Sequence, residues 1–228
     1  MTLKAEAARA LAVTWKDLTA ERRARANLIS VIFFAGTALL LVGFALGPDA
    51  DALARAGAGV LWLTVLFSGI LVFHRSYRLE LEGGALEALL LYPGSRRSIF
   101  VGKVLANFLA VVAVLGVVLV GATVFLQIPA LQPDPGFVAV LVLGTFGFVV
   151  LGTFYAAISS RVRARDVLLP LLLFPMLIPL LLGAVQGTQA FLDGDPMGYG
   201  SAWLRLLLAF DVIFLFAAIW AFDHIIED

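Results

Sequence analysis

"FVAVLVLGTFGFVVLGTFYAAI", residues 137–158, decides the class of fold. It carries no charge, the turn-forming stretch Pro129 to Gly136 precedes it, and the basic stretch Arg161 to Asp166 follows it. A bilayer hydrocarbon core of about 30 Å requires about 20 apolar residues of helix to cross it. No water reaches the backbone there, so such a segment must satisfy its own N–H and C=O groups and is read as a helix.

Outward from this segment, five further stretches have the same character: residues 28–46, 57–74, 104–126, 167–185 and 203–222. Only the last holds internal charges. The breaks are Gly47-Pro48-Asp49, the charged stretch 80–98, Pro129 to Gly136, Arg161 to Asp166, and Gly183 to Ser201, all rich in turn formers or charge. Composition agrees, since 62% of the residues are hydrophobic and 14% charged, with a mean hydropathy of +1.02, against about 25% charged in soluble domains. The chain therefore reads as an all-α polytopic membrane protein of six transmembrane helices forming a single transmembrane domain, 1–228.

Orientation follows from the 16 Lys and Arg residues, because basic residues near span ends are retained in the cytoplasm. Six precede the first span (Lys4, Arg9, Lys16, Arg22, Arg23, Arg25), five lie in or beside the charged stretch (Arg75, Arg78, Arg96, Arg97, Lys103), and three are Arg161, Arg163 and Arg165. Arg55 and Arg205 fall on the other side. The split of 14 to 2 places both termini and residues 80–98 on the cytoplasmic side, although the net charge is zero. Without cysteine, disulfides, thiolate metal sites and thioether haem attachment are excluded for this chain.

Residues 1–25 lack the continuous apolar core of a cleavable signal. Leu3, Ala7, Leu11, Trp15 and Leu18 recur at helical spacing, which predicts an amphipathic helix, either lying in the inner headgroup layer or solvated ahead of the first span. Residues 80–98, "ELEGGALEALLLYPGSRRS", predict a short helix from Gly84 to Leu91 with Leu86, Leu89 and Leu90 on one face and Glu87 towards the other, stopped by Pro93. Gly83 and Gly84 permit a sharp turn out of the second span. A leucine knob flanked by charge suits the groove of a cytosolic partner; a plain inter-helix loop is the other reading.

Asp211 lies near the midpoint of the sixth span, where an ionised carboxylate costs on the order of 2.5–3.5 kcal/mol. It is expected to be protonated, paired with another helix, or facing a wet cavity; Asn107 on the third span is a candidate partner for a buried polar clamp or for a transport path. The possible axial haem ligands are His74, His224, Met1, Met176 and Met197, and both histidines fall at inner helix ends where they read as interfacial caps. Pro170, Pro175 and Pro179 are expected to kink the fifth span, and Gly43 with Gly47 forms a G-x-x-x-G pattern at the end of the first. Residues 183–201 read as an outer loop, with a short re-entrant turn as the alternative. No phosphate loop for ATP occurs, because the Gly102-Lys103 pair is followed by Val104.

Several of these residues carry a resemblance. "WLTVLF" (62–67), "RSYRLE" (75–80), Gly84 to Leu91, Pro93, "VGKVLAN" (101–107) and "RLLLAFDVIFLF" (205–216) are similar, in order and spacing, to the CcmB family, haem exporter protein B of cytochrome c maturation. Gly83 stands where that family often has an acidic residue, with Glu82 one position earlier. The resemblance implies an ABC-2-type permease-like subunit that is not itself an enzyme, with residues 80–98 as the coupling segment and Glu80, Glu82, Gly84, Leu86, Glu87, Leu89, Leu90 and Pro93 facing the ATPase. It implies as partners a CcmA-like ATP-binding subunit in two copies, a second copy of the chain, a CcmC-like haem-handling membrane protein, a CcmD-like small subunit and, indirectly, a CcmE-like haem chaperone, within the lipid bilayer and without nucleic acid. Haem would be handled cargo, with no resident cofactor or metal. Two other functions share parts of this pattern: an ABC-2-type exporter of drugs or lipids, and a proton-coupled secondary carrier using Asp211.

Overall fold

The computed structural model describes residues 3–23, 25–82, 95–126, 128, 134–160 and 165–225. These form α1 (Leu3–Arg23), α2 (Arg25–Leu46), α3 (Ala50–Glu82), α4 (Arg96–Phe125), α5 (Pro135–Ser160), α6 (Arg165–Leu192) and α7 (Gly200–Ile225), with no strand among the described residues. Helices α2 to α7 are each long and apolar enough to cross a bilayer. The chain is an all-α polytopic membrane protein, and each of the six expected spans falls on one of these helices.

Helix ends are set by local chemistry. Asp49 Oδ1 accepts from the backbone N–H of Asp51 and Ala52 at 3.0 and 3.1 Å and so starts α3. Asp134 Oδ1 does the same for α5, accepting from Gly136 at 2.6 Å and Phe137 at 3.3 Å, with Pro135 as first helical residue. Gly47, at φ 69°, ends α2. Gly194, at φ 79°, ends α6 with paired bonds from Gly194 N–H to the Phe191 carbonyl and from Asp195 N–H to the Ala190 carbonyl.

Two helices run past the limits that hydropathy suggests. α3 contains 33 residues, about 50 Å of helix, because nothing between Arg75 and Glu82 breaks it although the stretch is charged. Glu80 and Glu82 thus occupy the last turn of α3. α6 continues to Leu192, beyond the expected end at residue 185. Gln186 and Gln189 lower hydropathy there without ending a helix, so the link to α7 is only residues 193–199 and no re-entrant turn forms. α6 also remains helical through Pro170, Pro175 and Pro179.

α5 is the centre of the bundle, contacting α3, α4, α6 and α7; α3 contacts α2, α4, α5 and α6. α2 and α7 are peripheral and present Phe33, Phe44, Phe216 and Trp220 outwards, an apolar surface that lipid solvates. The α3–α5 seam works by small residues receiving large ones. The Phe73 ring occupies the space above Gly152, the Phe148 ring that above Gly69, and the two rings meet edge-on at 5.0 Å. Trp62 lies over Gly144 and its Nε1–H donates to Thr188 Oγ1 at 2.9 Å. Gly43 likewise packs within the chain, against the Phe125 backbone, while its G-x-x-x-G partner Gly47 is a helix cap with open space beside it.

Because Phe73 is fully buried and held by Phe148, Gly152→Ala should overpack the seam and cost about 1–3 kcal/mol. The same change combined with Phe73→Leu should recover part of that loss, read as the thermal midpoint of the detergent-solubilised protein. Equal midpoints for Gly152→Ala and the wild type would show that the ring is free to move.

Candidate functional site

One end of the bundle gathers Arg9, Lys16, Arg75, Arg96, Arg97 and Lys103, where α1, the end of α3 and the start of α4 meet. Here α1 is seated on α4 by its small residues. Ala10, Val13 and Thr14 are buried, and a Cβ on Gly102 of α4 would stand 2.6 Å from the Ala10 carbonyl oxygen and 2.8 Å from Val13 Cβ. Only glycine permits that approach. Thr14 Oγ1 donates within α1 to the Ala10 carbonyl at 2.9 Å and lies 3.0 Å from the Gly102 carbonyl.

One turn further along α1, the contact becomes ionic. Lys103 is 0% exposed, and its Nζ lies 3.2 Å from Asp17 Oδ2 of α1 while donating to the Ser76 carbonyl of α3 at 2.9 Å. Asp17 Oδ1 is in turn 3.0 Å from Lys16 Nζ. Three helices are thus joined through one ammonium group. Arg9 adds a second tie, donating from Nη1 to the carbonyl of Ser95, the residue that precedes α4, at 3.3 Å.

These ties matter because of what they flank. Residues 83–94 connect the end of α3 to the beginning of α4, so α1 holds the start of α4 directly, at Ser95 and Lys103, and is linked to Ser76 of α3 through Lys103. Gly84, Leu86, Glu87, Leu89, Leu90 and Pro93 lie outside the described residues. Lys103 reads in the sequence as one more orienting charge; its place in the helix after Gly102, on the same face as Asn107, is the signal that marks it as interior.

Asn107 lies one turn above Lys103, and its Nδ2–H donates to Thr153 Oγ1 of α5 at 2.9 Å. The expected contact with Asp211 is not formed. Asp211, 3% exposed, sits against Gly147 of α5 with Leu180 Cδ1 of α6 close by, and neither carboxylate oxygen has a hydrogen-bond partner. Gly147 and Thr153 are six residues apart on α5, a rise of about 9 Å, so Asn107 and Asp211 address different depths of the same helix.

The outward face of α1 is the apolar one read from the sequence: Leu11 is 62% and Trp15 71% exposed. The residues that dock α1 lie on a different face. Beside Asp17, burial pushes the Glu21 carboxyl above its usual range, Arg75 opposing and Asp17 adding to the shift.

Comparison with known proteins places this chain in a family. The CcmB protein family matches residues 8–228. The chain belongs to the CcmB family. It is 32% identical over 205 residues to "Heme exporter protein B" of Bradyrhizobium diazoefficiens, covering 86% of this chain and 89% of that one. The protein of the same name from Paracoccus denitrificans is 32% identical over 183 residues, 80% and 84% of the two chains. That of Rhodobacter capsulatus is 32% identical over 157 residues, 68% and 70%. The CcmB match takes in the docking face of α1, Lys103, Asn107 and Asp211 together. The described residues of this CcmB chain hold no group of three His, Cys, Asp or Glu side chains fit for a metal. Its candidate axial ligands are dispersed, with His74 near the basic end of α3, Met176 within α6 and Met197 on the link at the opposite end.

Proposed function

We propose that this chain is the non-catalytic permease subunit of an ABC-type complex in cytochrome c biogenesis, which couples ATP hydrolysis by a separate CcmA-like subunit to haem handling or release of a haem-loaded chaperone. The family match over residues 8–228 carries the reading. The clamp at the basic end supplies a physical route for coupling. A push on residues 83–94 acts on α3 and α4 at their roots, and the Lys103, Asp17 and Ser76 contacts oblige α1 to move with them. α3 and α4 both contact the central α5, so the displacement continues into the bundle. The basic end faces the cytoplasm of a bacterial inner membrane, and the Leu11 and Trp15 face of α1 lies in the adjoining headgroup layer.

The test is mass spectrometry of proteins that copurify with the tagged chain from native membranes, comparing wild type with Leu86→Ala combined with Glu87→Ala. An ATPase and a haem-handling membrane protein are expected with wild type, and the ATPase signal should fall about tenfold or more in the variant, as for loss of an anchor at an interface. Gentle extraction that recovers no ATPase would reject the ABC-type reading in favour of a secondary carrier.

A further inference from the structure

Between α1, α3 and α4 lies a cavity of about 230 Å³, lined at its polar end by Lys16, Asp17, Glu21, Arg75, Ser76 and Asn107. Its position is the membrane boundary, since Ser76 ends the apolar window of α3. From Arg75 and Ser76 the lining passes to Val72 and Ala110, deeper in their spans, so the polar end faces the headgroup layer and the apolar end the hydrocarbon.

With Lys103 behind Asp17, the cluster at this cavity holds three basic side chains and two acidic ones. Asp17 is committed, with one oxygen towards Lys16 and the other towards Lys103. Burial raises the Glu21 carboxyl above its usual range, with the attraction of Arg75 opposing the shift. The Arg75 guanidinium carries only hydrogen-bond donors, and its Nη1 is buried with no hydrogen-bond partner. Among the described residues Arg75 makes no ion pair, although Glu21 lines the same cavity. A guanidinium with one buried, unsatisfied N–H group beside room for a ligand is an arrangement that a phosphate completes, because guanidinium and phosphate match in charge and geometry.

We propose that this cleft holds the phosphate head group of an anionic lipid from the leaflet at the basic end, anchored by Arg75, with the glycerol and first chain carbons against Val72 and Ala110. A lipid held there would wedge α1 against α3 and α4 beside the Lys103 contact, making the grip on residues 83–94 sensitive to lipid composition.

Native mass spectrometry of the full chain released from nanodiscs of mixed phosphatidylcholine and phosphatidylglycerol tests this. The chain should retain phosphatidylglycerol in preference to phosphatidylcholine. Arg75→Gln should reduce that retention about tenfold, the scale of one charge-assisted contact. Ala20→Leu, which leaves the arginine in place and fills the cleft from α1, should reduce it similarly, whereas Arg205→Gln, at the exposed opposite end, should leave it unchanged. Equal retention of the two lipids, or undiminished phosphatidylglycerol in either cleft variant, would overturn the proposal. Inorganic phosphate that raises the thermal midpoint in detergent through Arg75, with no lipid retained, would assign the cleft to a free anion and reject the lipid.

Discussion

Asp17→Ala is expected to release α1 and to destabilise the solubilised protein by about 2–3 kcal/mol, whereas Lys103→Met should cost less than about 1 kcal/mol. The asymmetry comes from burial. Asp17 keeps 17% of its side chain exposed and retains Lys16, so loss of Lys103 leaves a carboxylate that water and a second cation still serve. Lys103 is fully enclosed, so loss of Asp17 takes a counter-charge from an ammonium that water does not reach. Methionine has nearly the volume of lysine and carries no charge into the same space. The double variant should therefore be more stable than Asp17→Ala alone. Thermal midpoints in detergent read the order, and limited proteolysis within α1 reads its release. Lys103→Met more damaging than Asp17→Ala would mean that the bond to Ser76, and not the ion pair, holds the three helices.

The same clamp shows where reading the sequence succeeds and where it stops. Spans are legible because burial in lipid demands a length of apolar residues that nothing else in a chain of this size requires. The ends of α3 and α6 are not legible from hydropathy, since Arg75 to Glu82 and Gln186 to Gln189 are polar but helical. They yield to a different rule: α3 persists to the residue before Gly83, and α6 stops where Gly194 and Asp195 form its cap. The docking of α1 was hidden for another reason. Its apolar residues Leu11 and Trp15 point away from the protein, and the contact with α4 is made by Ala10, Val13, Thr14 and Gly102. Small residues carry little hydropathic signal, and the value of Gly102 is the absence of a side chain, which only a second helix at close range reveals.

Asp211→Leu is expected to raise stability and lower function together. In the conformation described, the Asp211 carboxyl is enclosed near mid-span by Gly147 and Leu180 with neither oxygen bonded. Replacing an unsatisfied buried polar group by an apolar one of the same branching removes a cost of about 1–3 kcal/mol, offset in part by the larger methyl groups against Gly147 and Leu180. Under the coupling proposed for this chain the bundle rearranges, and a group that weakens the state in which it is seen would gain a partner or water in the other arrangement. Removing it should hold the bundle in the present arrangement and reduce cytochrome c output in cells that depend on this chain. Asp211→Asn separates the causes, keeping hydrogen-bonding capacity without a carboxylate. Output restored by Asn but not by Leu would assign Asp211 a polar contact formed in the second arrangement; output lost in both would require the carboxylate itself. A leucine variant that is stabler and fully active would show that the group has no part in the cycle, and the unbonded oxygens of α7 would then be a cost the fold simply carries.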